Sequence, residues 1–327
     1  MPALQTVPPG KKDLRIVFMG TPEFAVASLD AVVKAGYQIV AVVTAPDKPA
    51  GRGMKLTESA VKKYALEKGL RILQPVKLKD SLFVDELRSL KADMQIVVAF
   101  RMLPEVVWNM PPMGTINVHG SLLPQYRGAA PINWAVINGE KETGVTTFKL
   151  QHEIDTGNIL LQQRFAIGED ETAGEVHDRM KKIGAELLVQ TIDRLVNGTI
   201  EETVQQYSPL TTYHLPLTTI PLKHAPKIFT ETCRINWNKP VEEIYNLIRG
   251  LSPFPAAFTL LNGKTLKIFR AKKNTIQPLI PPGKHESDGK RFLRYAGKDG
   301  YIEIQELQVE GKKRMQVEDF LRGNRVG

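Results

Sequence analysis

Residues 14–43, LRIVFMGTPEFAVASLDAVVKAGYQIVAVV, hold the pattern that decides the fold. An apolar run, Leu14–Met19, ends at Gly20, and the residues after it place apolar side chains at helical spacing. A second run, Tyr37–Val43, is apolar almost throughout, as is typical of a strand covered on both faces. Strand, helix and strand in this order predict a parallel unit with a right-handed crossover.

The helix of this unit has a clear start signal. Thr21 is expected as its N-cap and Pro22 as its first residue. Gly20 stands where a dinucleotide-binding domain has its glycine-rich turn, but that turn needs three glycines and only one is present. The pattern therefore argues against a nucleotide site here.

The same alternation continues along the first half of the chain. Further strands are predicted at Ile96–Phe100 and Thr115–Val118, with helical patterns near 58–68, 80–91 and 103–109. This alternation predicts an α/β fold with a doubly wound, mostly parallel, Rossmann-like sheet.

The pattern changes after about residue 143. Two strands are expected at 144–150 and 158–164, followed by one long helix at 172–197. A proline-containing linker is expected at 208–228 and a short helix at 241–250. Short strands are expected at 257–261, 265–270 and 301–309. The last strands predict a small, OB-like β-barrel. The expected organisation is a frayed tail at 1–13, a catalytic domain at 14–207, the linker at 208–228 and a β-barrel domain at 229–327.

The net charge of +9 is unevenly distributed over the 327 residues. Residues 1–207 carry 24 basic and 24 acidic side chains, whereas residues 208–327 carry 20 basic and 11 acidic ones. This distribution favours a polyanion partner for the basic part, 208–327, and a catalytic role for the neutral part, 1–207. A solvated basic surface without a partner remains the alternative.

Other compositional features exclude several protein classes. Cys233 is the single cysteine, so no internal disulfide and no cysteine metal cluster is predicted. No apolar run approaches the ~18 residues of a membrane span. The first residues lack the apolar segment of a secretory signal, so a cytoplasmic protein is expected.

Polar residues are densest around the predicted strand at 115–118. Asn117 and His119 lie at i and i+2, on one face of the strand and at its carboxyl end, where open α/β sheets bind ligands. An amide donor suits the oxyanion of acyl transfer, and an imidazole with an unperturbed pKa near ~6.5 moves protons at neutral pH. A structural pair that fills a turn is the alternative that the spacing leaves open.

A carboxylate follows in Glu153-Ile-Asp-Thr-Gly157. Asp155 would orient His119 and stabilise its protonated form, although an Asp-Thr-Gly turn is often structural. No nucleophile stands out, because Cys233 lies outside the α/β region and Ser121 lacks the G-x-S-x-G context. Direct transfer to an amine is therefore favoured over a covalent acyl-enzyme.

Several motifs together resemble the folate-dependent formyltransferase family. They are Asn117-Val-His-Gly-Ser-Leu-Leu-Pro124, Tyr126-Arg-Gly-Ala-Ala-Pro131, Thr143-Gly-Val-Thr146 and Asp155-Thr-Gly157. Further segments look like the members of the family that act on transfer RNA, namely Phe18–Phe24, Pro46–Gly53, Ile235–Trp237, Ile248–Gly250 and Ser252–Pro255. The similarity covers all but about the first dozen residues.

The resemblance implies a site and two substrates. Asn117, His119 and Asp155 match the family's catalytic residues, and Ser121, Leu122, Leu123 and Pro124 match its tetrahydrofolate contact. The implied donor is 10-formyltetrahydrofolate, with no metal and no other cofactor. The implied acceptor is initiator methionyl-tRNA, held by the C-terminal domain and by a loop with Lys48, Arg52 and Lys55. A monomer is expected.

The chain departs from the family after the Ile96–Phe100 strand. Arg101 and Met102 stand where the family usually has a glycine, in the region where its backbone contacts the pterin ring.

Two rival functions remain open at this point. A formyltransferase of the same chemistry could act on a small amine, such as a glycinamide ribonucleotide or an amino sugar, and would not need the Arg52 loop or a basic domain. An RNA-binding protein with an inactive α/β domain would have no use for the Asn–His–Asp set.

Overall fold

The computed structural model describes residues 13–50, 55–205, 221–324 and 326. The strands are β1 Arg15–Gly20, β2 Gln38–Val43, β3 Lys48–Ala50, β4 Lys55–Thr57, β5 Ile72–Leu73, β6 Met94–Val98, β7 Thr115–His119, β8 Arg127–Gly128, β9 Glu142–Lys149, β10 Ile159–Ala166, β11 His224–Ala225, β12 Ala257–Leu261, β13 Lys264–Asn274, β14 His285–Ser287, β15 Leu293–Ala296, β16 Tyr301–Val309 and β17 Met315–Gln316. The helices are α1 Glu23–Lys34, α2 Ala60–Glu67, α3 Ser81–Ser89, α4 Glu105–Trp108, α5 Pro131–Ile137, α6 Ala173–Val196, α7 Thr230–Cys233, α8 Val241–Leu251 and α9 Val317–Gly323.

A seven-stranded sheet has the order β10-β9-β7-β6-β1-β2-β5. The pairs among β5, β2, β1, β6 and β7 are parallel, and β9 runs antiparallel to β7. In chain order, β2 and β5 lie on one side of β1, and β6 and β7 lie on its other side. This reversal confirms the doubly wound, mostly parallel sheet, and it places the carboxyl ends of β1, β6 and β7 next to one another.

Gly20 is explained by packing at the end of β1. A Cβ atom there would lie 2.6 Å from the Cβ of Ala25 and 3.1 Å from the carbonyl oxygen of Val98. The glycine therefore allows α1 to pack closely against the sheet. The expected start of this helix is wrong by one residue, because Pro22 is extended (φ −82°, ψ 175°) and α1 begins at Glu23.

A six-stranded antiparallel sheet follows in the C-terminal part, with β12-β13-β16-β15-β14 in order and β17 beside β16. It curls into a half-barrel, which confirms a small β domain after the α/β domain. Its core is a cluster that includes Ile248, Leu266, Leu293 and Ile302, each at most 1% exposed.

By contacts between residues, the described chain divides into two compact units. The first unit takes its residues from 1–127, 144–164 and 179–222, and the second from 128–143, 165–178 and 223–327. The second unit thus includes two segments that precede the linker in sequence. None of the helices in the described residues is long and apolar enough to cross a membrane.

Candidate active site

Strand β7 positions the first two candidate residues. Its five residues lie between β6 and β9, and its carboxyl end is His119. Asn117 and His119 share a face because side chains alternate along a strand. Across the antiparallel pair with β9, Asn117 lies opposite Phe148 and His119 opposite Thr146.

His119 is 6% exposed and uses both ring nitrogens. Its Nε2 lies 2.9 Å from the carbonyl oxygen of Tyr126, and its Nδ1 lies 3.7 Å from Oδ2 of Asp155. A carbonyl oxygen only accepts hydrogen bonds, so Nε2 carries a hydrogen and donates it. Nδ1 is therefore the nitrogen that remains to face the Asp155 carboxylate. The ring also packs edge-on against Phe148, with the ring centroids 6.4 Å apart.

Asp155 lies in a tight turn between β9 and β10. Its φ of 56° is in the left-handed region, which Asp tolerates better than most residues. Two residues later, a Cβ atom on Gly157 would lie 1.6 Å from the carbonyl oxygen of Lys149. Gly157 is thus required by the backbone path of the turn that carries the Asp155 carboxylate to His119.

Asn117 is half-buried, with its side chain on the same face of β7 as His119. Its side chain makes no hydrogen bond with the residues that the structure describes. A partly buried amide donor beside an acid–base imidazole is an arrangement that suits an oxyanion. The structure thus brings His119 and Asp155 together and places Asn117 beside them on the same strand.

The predicted folate-contact segment, Ser121–Pro124, is held by hydrogen bonds to its backbone. The Thr146 hydroxyl donates to the carbonyl oxygen of Ser121 (2.7 Å) and accepts from the backbone N–H of Leu123 (3.1 Å). The fully buried Ser121 hydroxyl donates to the carbonyl oxygen of Gln125 (2.6 Å). This explains Ser121 as a structural residue of the loop. Leu122 and Pro124 are half-buried.

Arg101, at the departure from the family, binds a neighbouring loop. Its two terminal nitrogens donate to the carbonyl oxygens of Val76 (3.0 Å) and Pro75 (2.7 Å). Its Nε is buried without a hydrogen-bond partner among the described residues, and burial lowers the pKa of the guanidinium below its ordinary value. Met102 is 76% exposed. The long side chain at position 101 therefore braces the loop at 75–76.

The loop predicted to contact RNA starts from a hairpin. Lys48 lies in β3 and is exposed, and Lys55 lies in the paired strand β4, whereas Arg52 is outside the described residues. The base of the hairpin is fixed by Asp47, which pairs with Lys62 and accepts a hydrogen bond from Gln74. The expected tail at 1–12 and most of the linker, 208–220, also lie outside the described residues.

Sequence reasoning assigned no role to Thr146, Arg127 or Gln205. Thr146 and Arg127 belong to motifs of the family, which is a signal that could have found them. Gln205 has no such signal, because its contact with the Asp155 turn joins residues 50 positions apart. Among the described residues, no group of three or more His, Cys, Asp or Glu side chains could hold a metal ion.

Comparison with known proteins covers nearly the whole chain. The formyl transferase family model matches residues 14–192, and the model of the formyl transferase C-terminal domain matches residues 227–325. A methionyl-tRNA formyltransferase from Bacteroides thetaiotaomicron is 52% identical over 97% of both chains. One from Parabacteroides distasonis is 54% identical over 96% of both chains.

Solved structures of similar fold are more distant in sequence. An N-formyltransferase from Helicobacter canadensis, in complex with folinic acid and dTDP-3-aminofucose, has a TM-score of 0.66 at 22% identity. The match covers 92% of this chain and 99% of that one. At this identity the likeness shows the fold.

Proposed function

The chain belongs to the formyl transferase family, and on this premise we propose that it transfers the formyl group of 10-formyltetrahydrofolate to the α-amino group of methionyl-tRNA. The observation that carries the proposal is the His119–Asp155 pair at the end of β7, with Asn117 on the same face of that strand. The acceptor follows from relatives that are more than half identical over almost their full length.

Attack begins with the neutral amine of the acceptor. Its lone pair forms a bond to the formyl carbon, and the carbonyl oxygen becomes an oxyanion. The Asn117 amide and the Nδ1–H of protonated His119 donate hydrogen bonds to that oxyanion. Because Nε2 is held by the Tyr126 carbonyl, the ring presents Nδ1 to the reaction.

Collapse of the tetrahedral intermediate breaks the bond between the formyl carbon and N10 of the folate. The amine loses one proton and N10 gains one, so protons balance over the turnover. Asp155 accepts the amine proton and stabilises the His119 imidazolium. The gap of 3.7 Å between Nδ1 and Oδ2 leaves both groups able to approach a substrate atom.

The loop at Ser121–Pro124 lies next to the His119 end of β7, where a folate donor would have to bind. This loop is anchored to Thr146 of β9, so its backbone is in a fixed position that begins two residues beyond His119. We propose this segment as the folate contact. The Ser121 hydroxyl donates its hydrogen to the Gln125 carbonyl, so it would take part in that contact as an acceptor.

We assign transfer RNA to two basic regions. The hairpin of β3 and β4 carries Lys48 and Lys55 and leads into Arg52, and it would place the acceptor end of the RNA. The C-terminal domain, which carries the excess positive charge, would hold the phosphate backbone. The relationship to methionyl-tRNA formyltransferases also supports three further proposals. They are that the acceptor is an initiator tRNA, that the protein is a monomer and that it is cytoplasmic.

A formylation assay on several acceptors tests the proposal. Purified full-length protein is given 10-formyltetrahydrofolate and either methionyl-tRNA, a glycinamide ribonucleotide or an amino-sugar nucleotide, with filter binding of the RNA in parallel. Formyl-methionyl-tRNA is the expected product. Formylation of a small amine alone would favour the first rival, and RNA binding without any formylation would favour an inactive RNA-binding protein.

A further inference from the structure

Two side chains outside the proposed catalytic set hold the turn that carries Asp155. Nε2 of Gln205 donates hydrogen bonds to the carbonyl oxygens of Asp155 (2.9 Å) and Gly157 (2.7 Å). Gln205 is 7% exposed, so both bonds are largely shielded from water. One amide nitrogen thus joins the first and last residues of the Asp-Thr-Gly turn.

Arg127 determines how this amide is oriented. Its Nε and Nη2 donate to Oε1 of Gln205 at 3.1 and 2.6 Å. A guanidinium only donates, so the amide oxygen must face Arg127 and the NH2 group must face the turn. The two side chains therefore act in series, from Arg127 through Gln205 to the backbone at Asp155.

The segment around Gln205 is fixed independently of this contact. Thr203 and Ile159 exchange two backbone hydrogen bonds of 2.8 Å each, and Glu202 pairs with Lys149. Loss of the Gln205 side chain would thus leave the segment attached to the start of β10 and remove only the hydrogen bonds to the turn.

We infer that Arg127 and Gln205 are positioning residues that hold the Asp155 carboxylate in front of Nδ1 of His119. Asp155 is in the left-handed region (φ 56°), which costs energy for a residue with a Cβ atom and needs external support. The carbonyl at the same residue needs a donor once it is buried, and Gln205 supplies it. The inference rests on the proposed function, since it requires Asp155 to act in the reaction.

Gln205→Leu tests the inference in the full-length protein. The single-turnover formylation rate should fall roughly 10- to 100-fold, because a small displacement of a reacting group costs about that much. The dissociation constants for folate and tRNA should stay within about twofold, since neither substrate is bound by Gln205. Gln163→Leu, the same substitution at an exposed position on β10, is the matched control and should leave the rate unchanged.

Three more variants keep the test informative if Gln205→Leu unfolds. Gln205→Glu retains the acceptor for Arg127 but has no hydrogen for the turn carbonyls, so it should lose activity as Gln205→Leu does. Arg127→Lys retains a donor for Oε1 and should recover part of the rate lost in Arg127→Leu.

A double-mutant cycle with Asp155→Asn separates this inference from the proposed function. If Gln205 acts through Asp155, adding Gln205→Leu to Asp155→Asn should change the rate by less than about threefold. A full additional loss in that background, or no loss in Gln205→Leu alone, would overturn the positioning role and leave the proposed function intact. Normal activity of Asp155→Asn itself would overturn both the positioning role and the catalytic role of Asp155, and the formylation it shows would leave the proposed transferase activity intact.

Discussion

His119 holds its ring in place with one nitrogen and presents the other to a carboxylate. The hydrogen bond from Nε2 to the Tyr126 carbonyl fixes a hydrogen on Nε2, and Nδ1 lies 3.7 Å from Oδ2 of Asp155. Asn117 contributes a donor that no described residue uses. At the scale of single residues, the division of roles follows from which atoms are already engaged.

Asp155→Asn should fold and lose most activity. Asn tolerates left-handed backbone as Asp does, so the turn is retained. The neutral amide stabilises an imidazolium less, and the single-turnover rate should fall roughly 10²- to 10⁴-fold. An unfolding curve checks the fold, and a rate within about threefold of wild type would show that the turn is structural only.

At the scale of elements, the sharp connection between β9 and β10 depends on Gly157. Its Cβ would lie 1.6 Å from a backbone oxygen, which no rotamer change relieves. Gly157→Ala should therefore lower the free energy of unfolding by about 3 kcal/mol or more, measured by chemical denaturation.

Gly198→Ala is the matched control for that substitution. Gly198 has a φ of 64° but open space around its Cβ position, so only backbone strain of about 1–2 kcal/mol is expected. Equal effects of the two substitutions would show that close approach at Gly157 does not matter.

The start of α6 predicts a pH dependence of stability. Thr172 and Glu175 form a capping box, and Glu175 also pairs with Arg270. Burial acts to raise the pKa of Glu175, but hydrogen bonds from Thr172 and Arg270 outweigh it, so the pKa lies below its ordinary value. This stabilisation is present above the unfolded-state pKa and is lost as the pH falls through the folded-state pKa.

Glu175→Gln isolates the charge, because glutamine still completes a capping box. Its unfolding free energy should fall less steeply than that of wild type as the solution is made acidic. Identical slopes for both proteins in a pH series of denaturation curves would contradict the contribution of Glu175.

Regular elements were largely predictable from sequence, because apolar periodicity reports burial directly. Strands β1, β2, β6 and β7 and the long helix α6 lie within a few residues of their predicted positions. The hairpin of β3 and β4, the short strands β14 and β15 and the helix α9 were not predicted, since few residues carry each pattern.

The site was predictable only in part, because some of its contacts join residues that are far apart in sequence. Asn117 and His119 share a strand, so their spacing in sequence gives their relation in space. The support of Asp155 by Gln205 joins residues that no local pattern connects. Long-range hydrogen bonds of this kind depend on how loops return to the sheet.

At the scale of the whole molecule, the two compact units cross the expected domain boundary in sequence. Residues 128–143 and 165–178 belong to the second unit, so cutting the chain near residue 207 would separate them from most of that unit. The role of the basic domain is therefore better tested by substitution in the full chain.

Lys272, Lys298 and Lys312 are exposed lysines of the second unit. Replacing all three by glutamine should weaken tRNA binding and flatten its salt dependence, because each phosphate contact adds roughly 0.7–0.9 to the slope of log K against log salt. Folate binding should not change.

The matched control removes the same charge from the first unit. Lys63, Lys77 and Lys79 are also exposed, and their replacement by glutamine should leave the salt slope close to that of wild type. If both triple variants flatten the slope equally, the binding is a general effect of net charge and the assignment to the C-terminal domain is wrong.

Asn117 and His119 are the residues proposed to perform the chemical step on a methionyl-tRNA acceptor. The most direct measurement is the single-turnover formylation rate of Asn117→Ala and His119→Ala in the full-length protein with saturating 10-formyltetrahydrofolate. His177→Ala, at a half-buried histidine outside the site, is the control. Each active-site substitution should lower the rate roughly 10²- to 10⁴-fold with nearly unchanged tRNA affinity, while the control keeps its rate. A rate within about threefold of wild type for either Asn117→Ala or His119→Ala would contradict the claim.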